Sequence, residues 1–556
     1  MIALFFSCSV LVYFCIVFGF AFSKLFKLNV STVDKFLLGL VAINTLSSFI
    51  SLLFPVNLTT LIGVFLISIV ILFLVRFEVI SFFKFLRLKK DILIISVPFM
   101  IYAFMICLGE PKHPDTARYH IQSIMWIESF HAVPGLANLH TRFGYNSNIF
   151  TLYALTGIRE LAGHEIFSIN FTLFSILIIY LISRIKTIFI TSGINNFFVF
   201  NLIIILAITR YSQYISSPAP DYIAVVLVLY IISRLLDYDN DQNIPGAKEF
   251  FALLILSVYT VTVKLSLLPL FTVFFVLFIR YRITFKNLAL VTFLCLVVVL
   301  PWITRYVILT GWLFYPLTSV DLFNFDWKVP FPVAETDRLS IKGWARIPGE
   351  QWHAAATSMK MSEWVPLWWS KFSHTYQVKL SAAFLLPLVT LFGIILKKIK
   401  LNFVQIAGIA VLYICLLYWF IMAPDVRFGL SFIILGTICP LIFLRFSVKI
   451  SWTPYYKPEY LFNALVFILL ISFIQNSAGE RYISKSFHRK KIPQKLEIPE
   501  GYVFRTYDIN GQEIYTPGDS NDECFDHCIP CAPYYNGNLV LRGKDLRSGF
   551  KIINVK

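Results

Sequence analysis

Apolar runs close to the ~20 residues needed to cross ~30 Å of hydrocarbon recur along most of the chain, and they decide the solvent in which it folds. They lie near 2–22, 36–54, 59–76, 91–109, 164–184, 196–213, 221–236, 249–263, 266–280, 286–303, 379–397, 402–421, 428–445 and 459–475. That is about fourteen candidate spans, and each must be a helix because backbone groups facing lipid have to be paired within their own segment. Composition agrees: 58% of residues are hydrophobic, 14% are charged and the mean hydropathy is +0.74. Soluble domains carry roughly a quarter charged residues. The first run lacks a basic leader and precedes many others, which reads as an anchor and not a cleaved signal. The expected fold is an all-α polytopic membrane protein.

The net charge of +17 would suggest nucleic acid only if the basic residues formed one patch. Instead they recur at the ends of the apolar runs, so nucleic acid is excluded as a partner and membrane lipids are expected. Lys24, Lys27 and Lys35; Arg76, Lys84, Arg87, Lys89 and Lys90; Arg184 and Lys186; Arg280, Arg282 and Lys286; Lys397, Lys398 and Lys400; and Arg445 and Lys449 all fall on one side of the span count. Positive-inside bias makes that side cytoplasmic. The opposite, outer face then receives residues 110–163, the loop SSPAPD at 216–221, the hairpin vertex at Lys264, the loop 304–378, APDVR at 423–427 and the tail 476–556. Residues 1–475 are thus expected to form the membrane domain. The Gly-, Tyr- and Asn-containing tail suggests a small β-rich extracytoplasmic appendage.

Six ionisable residues share the outer rim: Asp115, Asp221, Lys264, Arg305, Asp425 and Arg427. Such groups are costly near lipid unless they are paired or line a wet cavity, so the set suggests a site. Interfacial snorkelling and helix capping account equally well for any single member. Within EPKHPDTARYHIQSIMWIESF, Pro114 suits a first helical position and Ile121, Ile124, Met125, Trp126 and Phe130 form an apolar face. This predicts a lateral amphipathic helix carrying Asp115 in its first turn, with a second such helix at 148–162. His113, His120, His131 and His140 never stand at the i, i+4 spacing that places two ligands on one helical face, so no metal is expected. Local hydrogen bonding suits these histidines, with His120 the best substrate contact. Trp364, Trp368 and Trp369 read as an interfacial belt, and Trp327 as a possible stacking surface for an acceptor. In CFDHCIPC, two of Cys524, Cys528 and Cys531 suit a disulfide, with one left over.

Four features together resemble the GT-C superfamily of polyprenyl-phosphate-dependent glycosyltransferases, which includes protein mannosyltransferases and the aminoarabinose transferase of lipid A. They are the acid in HPDTARYH of a first large outer loop, the amphipathic helices after it, a short-armed hairpin carrying VKLS, and PWITRYVILTGWLFYP. The chain from 91 to 446 fits that plan; four spans before the loop, where one is usual, depart from it. The resemblance implies a bacterial inner-membrane enzyme with an outer active face and no cofactor. It would move a sugar from a polyprenyl-phosphate lipid to a glycan, lipid or protein. Transfer from a lipid phosphate needs a base for the acceptor hydroxyl and cations for the departing phosphate. Asp115 is the expected base with Asp221 in support; His120, Lys264, Arg305, Trp327, Asp425 and Arg427 are the expected substrate contacts. A polysaccharide polymerase or ligase relying on Arg305 and Arg427, and a transporter of lipid-linked glycans, are the competing readings.

Overall fold

Helices form where the apolar runs predict them, and several begin at side chains that satisfy the first free N–H groups. In α2 (Thr32–Leu53) Ser31 and Asp34 make a reciprocal capping box, while Asn57 caps α3 (Leu58–Leu88). The computed structural model describes residues 1–236, 247–280, 283–396, 399, 401–443, 447–448, 458–476, 494–518 and 522–553. Arg282, Lys397, Lys398, Lys400, Arg445, Lys449 and the start of the tail at 477–493, apart from its boundary, lie outside the described residues.

Among the described residues, eight helices are long and apolar enough to cross a membrane. They are α1 (Ile2–Leu25), α2, α3, α4 (Lys90–Cys107), α8 (Ile169–Ser192), α13 (Phe285–Thr310), α17 (His374–Ile395) and α18 (Phe403–Met422). Between α4 and α8 lie the short helices α5 (Ile121–Ser129), α6 (Ile149–Thr156) and α7 (Arg159–Ala162). Then come α9 (Asn196–Arg210), α10 (Pro220–Leu236), α11 (Ala247–Val263) and α12 (Val273–Arg280). The long loop holds α14 (Phe331–Arg346), α15 (Trp352–Thr357) and α16 (Met361–Ser370); α19 (Val426–Ile438) and α20 (Pro458–Asn476) follow α18. A minimal ladder pairs β1 (Ile194–Asn195) with β2 (Ser447–Val448).

Several boundaries differ from the sequence reading, and two of them have a plain local cause. α3 runs on from the expected stop at Arg76 to Leu88, because Arg and Lys are good helix formers and neither Gly nor Pro interrupts FEVISFFKFLRL. α8 starts at Ile169, five residues after the expected start, since the turn at His164–Ser168 is spent on buried polar contacts. α1 and α2 pack with their backbones touching: a Cβ on Gly19 would lie 2.0 Å from the Lys35 carbonyl oxygen, and one on Gly39 1.9 Å from that of Cys15. Small residues at helix contacts allow such approach.

The helix ends sort into two sets. At one, Lys24 pairs with Glu78, Lys186 with Asp91 and Arg234 with Asp34. At the other, the end of α2, residues 108–168, the 216–221 loop, the end of α11 and the start of α19 meet. There the Ala132 N–H donates to the Ser51 carbonyl at 2.8 Å and the Asn148 N–H to the Thr262 carbonyl at 3.0 Å. Asn148 also bonds Ser48, burying α6 against α2.

The tail seats itself on this second end. Two antiparallel pairs form it: β3 (Phe504–Ile509) with β4 (Gln512–Pro517), and β5 (Leu539–Leu541) with β6 (Phe550–Ile552). Asn510 and Gly511 join the first pair with φ of 55° and 84°, the left-handed pair that a tight hairpin turn requires. Cys524 and Cys531 form a disulfide, leaving Cys528 free and exposed, as the sequence suggested. The Phe525 N–H donates to the Ala117 carbonyl at 2.9 Å, and Phe550 likewise to Pro134 at 2.9 Å.

Candidate functional site: a carboxylate and imidazole cluster at one end of the bundle

Three chain breaks bring the site together. Pro111 and Pro114 keep residues 110–114 out of a helix, and the Lys112 and His113 N–H groups donate to the Ser217 hydroxyl at 2.8 and 3.0 Å. Pro220 opens α10 with Asp221 in its first turn, where a carboxylate complements the helix dipole. α11 stops at Val263, whose carbonyl accepts from the Ser147 hydroxyl at 2.6 Å; Lys264 then turns the chain in an extended conformation toward a 3-10 stretch containing Pro269. After Asp115, a π-helical turn over Thr116–His120 leads into α5.

The resulting charges interlock. Asp115 stands 3.8 Å from Arg427 and 4.0 Å from both Arg118 and Arg142. His113 Nε2 lies 3.1 Å from Asp221 Oδ2, and Lys264 pairs with the other oxygen of Asp221. Asp425 caps α19 and binds Arg427 at 3.0 Å. Arg118 also bonds Asp522 of the tail at 3.0 Å. Four acids thus face four cations. Burial pushes His113 down to about 4 and His120 to about 3, so both imidazoles are neutral at physiological pH. Burial works against the Asp115 carboxylate, yet His120, His113, Arg427 and Arg142 outweigh it and hold the group below its ordinary value. The arginines carry that effect near neutrality, because the imidazoles are uncharged there.

The structure therefore gathers Asp115, Asp221, His120, Lys264, Asp425 and Arg427. Arg305 and Trp327 stand elsewhere. Arg305 is buried, and its guanidinium donates to the Ser51 hydroxyl at 3.2 Å; no hydrogen bond or ion pair among the described residues ties it to the cluster. Trp327 stacks on Phe325 at 4.3 Å, and Arg542 of the tail lies over its ring at 4.6 Å, so it serves the tail contact. Trp364 and Trp368 correct the belt reading: both are buried, and Trp368 donates to the Pro424 carbonyl at 2.9 Å, bracing the turn that carries Asp425. Sequence reasoning gave His113 only local hydrogen bonding and gave no role to Arg142 or Asp522. Arg142 sits in TRFGY with no periodic signal, and Asp522 is remote in the chain.

Beside the cluster a second buried group joins tail to bundle. Arg159 of α7 reaches Glu128 at 2.8 Å, Glu165 at 3.4 Å and Asp526 at 2.6 Å. Burial and the neighbouring Glu128 push Glu165 well above the usual carboxylate range. Three acids on one guanidinium leave room for a proton.

An apolar groove of about 790 Å³ between α1, α3 and α4 is lined by Phe5, Tyr13, Phe83, Ile101, Phe104 and Leu108 among others. Its Leu108 end adjoins residues 110–115. Neither the curated proteins nor the solved structures contain a match to this chain. Residues 1–434, which include every member of the cluster except Asp522, match the family described as "Domain of unknown function (DUF8201)", and the chain belongs to that family.

Proposed function

We propose that this protein is a GT-C-like membrane glycosyltransferase, moving a sugar from a polyprenyl-phosphate donor to a glycan, lipid or protein acceptor on the outer face of a bacterial inner membrane. The observation that carries the reading is Asp115, a largely enclosed carboxylate with three guanidinium groups within 4.0 Å. In this scheme the shorter apolar helices also span, which restores a count of about fourteen with ~20-residue or tilted, broken segments. The positive-inside bias puts the cluster outside.

The acceptor hydroxyl gives its proton to Asp115 as its oxygen attacks the anomeric carbon. The bond from that carbon to the phosphate oxygen breaks, and the lipid phosphate leaves with the electron pair. Attack from the face opposite the phosphate inverts the anomeric centre. Arg427 and Arg142 suit the growing charge on the phosphate, since a guanidinium forks onto two oxygens, and Lys264 adds a point charge. Asp221 and Asp425 hold Lys264 and Arg427 in place meanwhile. The groove beside Leu108 suits the hydrocarbon chain of the donor, being almost wholly apolar and beginning next to the cluster. The polymerase or ligase reading needs Arg305 beside Arg427, and Arg305 is instead engaged with Ser51.

The test is transfer by the purified chain in nanodiscs, using undecaprenyl-phosphate hexoses and pentoses with a cell-envelope extract from a deletion strain as acceptor. Release of undecaprenyl phosphate together with a sugar-modified acceptor in mass spectrometry supports the proposal. Absence of both across the panel, with a folded and monodisperse protein, overturns it.

A further inference from the structure

The transfer scheme leaves two buried imidazoles without a task. His113 and His120 are 4% and 1% exposed, and their rings stack with centroids 5.4 Å apart. One ligand atom from each, with a carboxylate oxygen of Asp115, lies within 4.8 Å of the other two. The seven-residue spacing that argued against a shared site does not apply, because His113 lies in the extended segment before the π-helical turn and His120 at the end of that turn.

Among the described residues, one long backbone contact is the donor that reaches the inner nitrogen of His113, and none reaches Nδ1 of His120. Asp221 Oδ2, an acceptor, stands 3.1 Å from His113 Nε2, so that nitrogen carries the ring proton. The Nδ1 lone pair then faces Asp115, whose Oδ2 is 3.9 Å away, with only a long 3.3 Å contact from the Asp115 N–H to occupy it. A carboxylate fixing one imidazole nitrogen so that the other can ligate is the usual support for metal-binding histidines. His120 Nδ1 is buried and has no hydrogen-bond partner among the described residues. A cation between these groups would engage the His113 Nδ1 lone pair and the Asp115 carboxylate, and, with the His120 proton on Nε2, the unpartnered Nδ1 of His120 as well. The four-against-four balance of surrounding charges presents no net positive field against one.

We propose that His113, Asp115 and His120 form a binding site for a divalent transition-metal ion of the zinc and manganese class. Two imidazole nitrogens and one carboxylate oxygen suit borderline ions, whereas magnesium and calcium favour oxygen-only shells. Ligands at roughly 2.0–2.2 Å from zinc stand about 3.5 Å apart, so the three groups close by about 1 Å on binding. Three protein ligands leave one position free for water or an anionic oxygen. Asp115 Oδ1 stays available on the side of Arg118 and Arg142. Binding of the ion stands independently of sugar transfer.

The experiment measures metal, not turnover. The full chain in detergent is stripped with a chelator, dialysed against zinc or manganese, gel-filtered and assayed by elemental mass spectrometry. Cobalt(II) serves as a second probe, because a low-coordinate nitrogen–oxygen site gives strong visible bands. Expected are stoichiometric metal and a cobalt spectrum in the parent and in His374→Ala, an exposed-histidine control. Both should fall at least tenfold in His120→Ala and in Asp115→Asn. Because the parent is titrated as well, misfolding of a variant cannot hide the outcome: a folded parent that takes up neither metal nor cobalt overturns the proposal. Equal uptake by parent and both variants does so too. A chain that takes up neither ion yet transfers sugar would sink this inference and leave the transferase reading intact, and a chain that binds metal stoichiometrically but transfers none would do the reverse.

Discussion

Replacing Asp115 with Asn separates a chemical role from a structural one, because the two differ by orders of magnitude. The change keeps size and hydrogen bonding but removes the charge and the ability to take a proton. Its structural cost follows from the partners. Arg427 keeps Asp425 at 3.0 Å and Arg118 keeps Asp522 at 3.0 Å, while Arg142, about a third exposed, keeps the ring of Tyr119 at 5.8 Å. Partly exposed ion pairs near 4 Å are each worth about 0.2–1 kcal/mol, so the loss of all three costs the variant about 0.6–3 kcal/mol of stability. General base catalysis contributes ~100- to 10,000-fold, or about 3–5.5 kcal/mol of barrier. The assay is sugar transfer by the nanodisc-embedded variant beside its thermal unfolding. The expected outcome is a small loss in melting temperature with transfer lowered at least ~100-fold. Transfer within about threefold of the parent would refute the assignment and send the search to Asp221.

Arg427→Ala should weaken donor use by about 1.5–3 kcal/mol, the range for hydrogen bonds to charged groups, with Lys restoring it only in part; Arg305→Ala should leave donor use unchanged, as donor titrations will show. Since Asp115 titrates below the ordinary carboxylate value of about 3.9, the acid limb of the rate profile should stay flat from neutrality down to that pH. Cys528 is the exposed free thiol of the tail, so a membrane-impermeant maleimide should label intact cells at this residue, and Cys528→Ser should abolish the labelling; labelling only after lysis would invert the orientation. Glu165 has a raised pKa, so its contribution to stability is fully present below the unfolded value of 4.5 and is lost as pH rises toward the folded one. Melting temperature should therefore fall as pH rises above 4.5, and Glu165→Gln should flatten the slope.

What could be read from the sequence follows the range of the forces involved. Spans, ends and the polar rim come from local hydrophobicity and charge, and the six rim residues were found because charge near lipid is conspicuous. Five of them, all but Arg305, do meet, and His120 joins them. Arg305 stands apart from the cluster because its guanidinium lies against Ser51 of α2, a contact that no local pattern in the sequence announces. Trp364 and Trp368 misled: an aromatic run before a span reads as a belt, and only tertiary packing reveals that it lies beneath the 423–427 turn. Helix periodicity was the wrong template for His113 and His120, since a proline-held extended segment and a π turn place them together. Partners such as Asp522, more than four hundred residues from Arg118, leave no local trace.

The tail completes this argument. The family match ends at residue 434, yet the described tail from 494 onward reaches back to Ala117, Arg118, Gln122 and Arg159. Those contacts all fall on the segment that begins with the π turn after Asp115. A π turn is held by fewer favourable contacts than an α-helix and tends to persist where something else fixes it. Here the Phe525 N–H grips the Ala117 carbonyl inside the turn itself, and the Cys524–Cys531 disulfide keeps the loop bearing Phe525 and Asp526 closed. The tail adds Asp522, held on Arg118, to the rim of the cluster, and it sets the geometry of the segment that bears Asp115 and His120. Opening the disulfide should therefore loosen the position of Asp115 and His120 together, lowering transfer and metal uptake in parallel while the helices of the bundle remain folded.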